Sequence, residues 1–202
     1  MSQFFFLQNT EVPVSKKEVI RYLGYRAKHQ PDETVNGIID SCIKEMHAII
    51  RPALVYEEFD VLVDGGTCLV DGNEIKSSFL AKNFKDCNRV IMFASTIGSE
   101  VDKLIRVTNY SDTAKACVLQ ATGAMFIEEF VNLFNKKIED EKKALGYKIH
   151  PRYSPGYGDL SLETQKLFFA LLNCSKIGLS LMDTLIMAPE KSVTAFIAVE
   201  GK

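Results

Sequence analysis

The stretch SDTAKACVLQATGAMFIEEFVNLFNKKIEDEKKALGY, residues 111–147, constrains this chain more than any other. Ala114, Cys117, Val118, Ala121, Met125, Phe126, Phe130, Val131 and Phe134 recur at three- and four-residue steps and define one broad apolar helix face. A face that wide must be covered by other elements of a packed core. Ser111 or Asp112 is placed to cap its start. Gly123 in its interior predicts close packing against another element. The face then gives way to NKKIEDEKKA, where opposite charges three and four residues apart support a solvated helix end.

On both sides of this helix the hydrophobic period changes. In YEEFDVLVDGGTCLVDGNEIKS, Phe59, Val61 and Val63 alternate, and Gly65-Gly66 and Asp71-Gly72 punctuate the run around Cys68–Val70. That is the pattern of short strands joined by tight turns. Val90 to Ala94 reads as a buried strand that runs into a helix near Gly98 and Ser99. Toward the N-terminus, Phe4 to Leu7 reads as a strand or docking segment. A first helix is capped by Ser15 and closed by Gly24, and a second carries Ile39, Cys42, Ile43, Met46, Ile49 and Ile50 up to Pro52. His47 beside that stripe is read as a surface or satisfied core histidine, because no ligand partner sits one turn away. Toward the C-terminus, Ile177, Leu179 and Leu181 alternate, Pro189-Glu190-Lys191 make a turn, and Val193 to Val199 form a last strand. The order predicts an α+β fold, a mostly antiparallel sheet with helices packed on one face, including one long helix. No Pro/Gly/Ser-rich linker or internal repeat interrupts it, so residues 1–202 read as one domain.

Composition excludes several functions. A formal charge of −2 gives no basic surface for nucleic acid. The apolar opening lacks the length and the preceding basic region of a membrane or export segment. The five cysteines, Cys42, Cys68, Cys87, Cys117 and Cys174, form no CxxC pair and read as reduced core thiols of a cytoplasmic protein. The histidines are scattered, and neither a zinc, calcium nor phosphate-loop motif is present. The strand–glycine–helix junction at Gly98 resembles a phosphate site only superficially, since one glycine is not a dinucleotide fingerprint.

The chemistry concentrates in HPRYSPGYGDLSLETQKLFFALL, residues 150–172. Pro155 fixes its own φ, while Gly156 and Gly158 permit positive φ or close approach to a ligand. Backbone amides at Ser154, Gly156 and Tyr157 are then expected to face outward. Arg152 supplies a planar cation that holds a carboxylate with two hydrogen bonds. Tyr153 and Tyr157 offer flat faces with polar tips. The set suits a small ligand with a carboxylate at one end and a planar or cationic group at the other. A plain strand-to-helix turn with a surface arginine accounts for the same residues.

RYSPGYGDLSLETQKLFFALL, continued by IGLSLMDTLIMAPEKSVTAFIAV, resembles the C-terminal half of the activation (reactivation) domain of vitamin B12-dependent methionine synthase. That family binds S-adenosylmethionine through an RxxxGY motif, matched here by Arg152, Gly156 and Tyr157. The pattern of Leu181, Asp183, Met187 and Pro189 agrees as well, and the resemblance spans residues 90–199. It implies that Arg152 anchors the carboxylate or ribose side, Ser154 and Gly156 give backbone contacts, and Tyr157 forms a wall. The aromatic residues that longer members carry after the last strand have no counterpart here, which predicts a pocket that binds weakly or is completed by a partner.

The resemblance further implies a stand-alone reactivation protein. It would support reductive methylation of inactive cob(II)alamin on a separate cobalamin-dependent methionine synthase, with a flavodoxin-like electron donor. The cobalamin would be carried by that partner's corrinoid domain. Methyl transfer from a sulfonium needs no proton abstraction, so no catalytic histidine or carboxylate is expected. The competing readings are an accessory of another corrinoid methyltransferase, and a ligand-free binding module that kept the fold. Docking on a corrinoid domain predicts an exposed apolar or aromatic patch near the loop.

Overall fold

Alternation and continuity in the apolar runs decide which strands are covered on one face and which on two. The computed structural model describes residues 1–26 and 28–201. In chain order the elements begin with strand β1 (Gln3–Phe6), helices α1 (Lys16–Tyr22) and α2 (Glu33–Ile49), then strands β2 (Ala53–Asp64), β3 (Thr67–Val70) and β4 (Asn73–Lys76). Helix α3 (Ser78–Asn83), strand β5 (Cys87–Thr96) and helices α4 (Ser99–Asn109) and α5 (Thr113–Ala144) follow. The chain continues with β6 (Lys148–Ile149), α6 (Gln165–Leu171), the small hairpin β7 (Ser180–Leu181) and β8 (Met187–Ala188), and β9 (Ser192–Glu200).

The main sheet runs β4-β3-β2-β5-β9-β6, with β1 added to β2. Every pairing is antiparallel. Strand β5 lies between β2 and β9, in register from Ala53↔Thr96 on one side and Thr96↔Ser192 on the other. Its residues from Val90 to Thr96 are all buried. Ile91 and Phe93 enter one core, while Val90, Met92 and Ala94 enter another.

The fold is the expected α+β arrangement of a mostly antiparallel sheet and one long helix. It differs from the expectation in one respect, since helices cover both faces. On one face α1, α2, α4 and α5 close the larger core. There Phe134 of α5 touches Phe5 of β1, Tyr56 of β2 and Phe93 of β5, with ring centroids 5.8, 4.9 and 5.3 Å apart. On the other face α3 and α6 place Phe84 and Phe168 against Phe196 of β9. A continuous apolar run in β5 is the signature of this double cover, because a strand solvated on one side alternates.

Local rules account for most boundaries. Asp112 rather than Ser111 caps α5, its carboxylate accepting from the Lys115 amide at 2.9 Å. Ser15 gives no side-chain cap to α1, and Gly24 closes that helix at φ +86°. The interior glycine of α5 does mark a close approach: a Cβ on Gly123 would lie 3.1–3.2 Å from the Lys191 stem. His47 is satisfied, with Nε2 2.7 Å from the Asn9 carbonyl and its ring stacked on Phe126. Two members of the predicted α5 face, Ala114 and Cys117, are exposed; both lie at its margin in the first turns. Ile177 ends a tight helical turn, Cys174–Ile177, instead of opening a strand. By length and composition α5 is apolar enough to cross a membrane, but 61% of that apolar window is buried in this core.

Candidate functional site

After β6, the chain keeps running along the edge of β9. The His150 amide donates to the Ala198 carbonyl, and Tyr153 exchanges two backbone hydrogen bonds with Phe196, at 3.0 and 2.9 Å. Successive residues on an extended segment face opposite sides. Tyr153 therefore packs on the α3/α6 core, while Arg152 reaches α5. The Arg152 Nη2 lies 3.0 Å from Asn132 Oδ1 and 3.3 Å from Glu128 Oε2. Its Nη1 is buried and has no partner among the described residues.

The loop that follows is held by its own turns. The Tyr157 amide donates to the Ser154 carbonyl, the Gly156 amide to the Leu160 carbonyl, and the Leu160 amide back to the Tyr157 carbonyl. The expectation of three outward amides is thus corrected: Gly156 and Tyr157 spend theirs inside the loop. The Ser154 amide and hydroxyl have no hydrogen-bond partner among the described residues. Gly156 and Gly158 take φ +89° and +57°, as their placement requires. At Gly158 space is limiting too, since a Cβ would stand 2.5 Å from the Tyr153 hydroxyl and 3.3 Å from the Phe79 ring.

Asp159 clamps the loop to the start of α3. Its carboxylate accepts from the Ser77 hydroxyl, from the Ser78 amide at 2.8 Å and hydroxyl at 2.6 Å, and from the Phe79 amide at 3.3 Å. The hydrogen bonds from the Ser77 and Ser78 hydroxyls, more than those from the amides, push its pKa down to about 2. Burial, with a smaller contribution from Asp159, raises the Tyr153 phenol above its ordinary range.

Arg152, Ser154 and Tyr157 come together with Glu128, Tyr153 and Val193 around a cavity of about 350 Å³. Gly156 does not line it and acts by shaping the turn. Tyr157 is 69% exposed, so it stands as a rim and not as a buried wall. Glu128 and Asn132 escaped the sequence reading. The available signal was the pair Glu128-Glu129 inside the apolar run of α5, one turn before Asn132. Chemically, the cavity offers a guanidinium with a free donor, a carboxylate beside it, a serine amide and hydroxyl, and two aromatic rings.

Among solved structures, the chain is similar to the crystal structure of the MetH reactivation domain bound to AdoHcy, with a TM-score of 0.68. The match covers 99% of this chain and 78% of that chain, at 15% sequence identity. This chain shares that domain's fold. No protein-family model matches the sequence, and no curated protein matches it.

Proposed function

We propose that this chain binds S-adenosylmethionine at the Arg152 loop and serves, as a separate protein, to reactivate a cobalamin-dependent methionine synthase. The buried, unpartnered Nη1 of Arg152 carries the reading. A guanidinium nitrogen removed from water without an acceptor is costly, and a ligand carboxylate relieves that cost with a charge-assisted bond. The structural neighbour holds AdoHcy, the demethylated form of the same ligand.

The residues present fit such a ligand. Arg152 takes the carboxylate, the Ser154 amide and hydroxyl take polar atoms nearby, and Glu128 accepts from an ammonium or hydroxyl group. The rings of Tyr153 and Tyr157 suit a neighbouring sulfonium. Bound S-adenosylmethionine would supply a methyl group to the partner's cobalt once a reductant had given that cobalt one electron, and S-adenosylhomocysteine would be left. The work of this chain is placement and exclusion of water.

A docking surface lies beside the cavity. Tyr157, Phe79 and Leu162 are 69%, 57% and 40% exposed, and the side chains of Phe79 and Leu162 abut the backbone at Gly158 and Gly156. The Asp159 clamp holds them in one patch, which suits the corrinoid domain of a partner. The test is recovery of methionine synthesis by an oxidatively inactivated synthase lacking its own reactivation module. This chain, S-adenosylmethionine and a reduced flavodoxin should restore turnover, and Arg152→Ala should not. Equal recovery with Arg152→Ala, or none with the wild type, contradicts the proposal.

A further inference from the structure

On the other side of Lys191 from the Arg152 loop, α4, α5 and the β7–β8 hairpin enclose a cavity of about 490 Å³. Its lining includes Cys117 and Gln120 of α5, eight to eleven residues before Glu128, which places it about 12–16 Å along the helix from the first cavity. The Lys191 stem crosses α5 at Gly123, between the two.

Asp102, Arg106 and Glu190 are the charged residues lining this cavity, and the amine of Lys191 lies near the two carboxylates. Asp102 and Arg106 stand one turn apart on α4, the spacing at which opposite charges ordinarily pair. Here no ion pair joins them. The Asp102 Oδ2 instead accepts from the Glu190 amide at 2.7 Å, which holds the carboxylate toward the hairpin. Its Oδ1 is buried and without a partner, while the guanidinium of Arg106 is exposed at the cavity and joins no ion pair among the described residues. Between them Ile105 and Ala116 are buried, and Met182 and Met187 complete an apolar lining.

We infer that this cavity is a second small-molecule site, for a free α-amino acid with an apolar side chain. The ammonium group answers the orphaned Oδ1 of Asp102, and the carboxylate answers Arg106. The side chain lies against the thioethers of Met182 and Met187, which adapt to irregular apolar shapes. The ligand's ammonium meets a buried oxygen that Arg106 leaves open, and its carboxylate meets an exposed guanidinium that no carboxylate engages. The volume lies within the usual range for small-ligand sites, roughly 300–1,000 Å³. This inference stands independently of the reading of the Arg152 loop.

Cys117 at the cavity provides a local reporter, since it is exposed and the other four cysteines are buried. The experiment measures alkylation of Cys117 in the presence of L-leucine or L-methionine, beside 3-methylbutylamine and 4-methylpentanoate. Both amino acids should protect the thiol, and the two singly charged analogues should do so roughly tenfold more weakly or worse. Arg106→Gln and Asp102→Asn should each weaken protection by a similar factor. Asp102→Asn keeps an acceptor for the Glu190 amide, so the hairpin should stay in place. Arg152→Ala should leave amino-acid protection unchanged while weakening S-adenosylhomocysteine binding roughly tenfold or more. No protection by either amino acid, equal protection by the analogues, indifference to Arg106→Gln, or protection by S-adenosylhomocysteine alone would overturn the inference.

Discussion

The guanidinium of Arg152 rests 3.3 Å from the carboxylate of Glu128, a residue 24 positions earlier in the chain and on a different element. The pair is partly solvated, with the two side chains 25% and 42% exposed, so its contribution to folding is at most about 1 kcal/mol. Its value lies in orienting one nitrogen and leaving the other open. Glu128→Gln is therefore expected to leave the melting temperature almost unchanged while weakening S-adenosylhomocysteine binding about tenfold. Parallel thermal melts and titrations check this. A large loss of stability with unchanged affinity would make Glu128 a structural residue.

Gly158 is predicted to be the least replaceable glycine of the loop. At φ +57° an alanine costs roughly 1–2 kcal/mol of backbone strain, and its Cβ also collides with the Tyr153 hydroxyl. Gly24, at φ +86° with nothing within 4 Å, carries the strain alone. Urea unfolding should show a larger loss for Gly158→Ala than for Gly24→Ala. Equal losses would mean that the loop gives way freely around Tyr153.

The Asp159 clamp has a pH dependence of fixed sign. Its pKa is lowered to about 2 from the ordinary 3.8, so the folded state favours the ionised form. Its stabilising contribution is complete above the ordinary carboxylate range and is lost as pH falls toward 2. The melting-temperature gap between wild type and Asp159→Asn should therefore shrink between about pH 5 and pH 2. A gap that stays constant across that window would remove the clamp from the account.

Phe134 is the side chain on which the larger core converges. It is fully buried and meets rings from three strands, so Phe134→Ala should cost about 3–5 kcal/mol in chemical denaturation. A loss below about 1 kcal/mol would show that α5 is not the packing centre of that layer.

What could be read from the sequence follows the range of the forces involved. The face of α5, the buried run of β5 and the left-handed glycines of the Arg152 loop depend on neighbours a few residues away, and they were legible. The second helical layer was not. A helix after the Arg152 loop was expected, but α3, with six residues, is too short to display a helical period, and the layer that α3 and α6 form appears only when Phe84 and Phe168 meet Phe196. Asp159 was not singled out, because the hydroxyl and amide donors that its carboxylate binds lie about 80 residues earlier. The loop amides were misjudged for a related reason: the Leu160 carbonyl turns back to accept from the Gly156 amide, and nothing in the motif announces that return.

The most direct test of the central claim is calorimetric titration of the purified chain with S-adenosylhomocysteine, beside Arg152→Ala. The wild type should show saturable binding at one site. The variant should lose roughly 1.5–3 kcal/mol, the worth of a charge-assisted anchor. Binding that is indifferent to Arg152 would contradict it, as would no binding by the wild type, either alone or with a cobalamin-loaded synthase present.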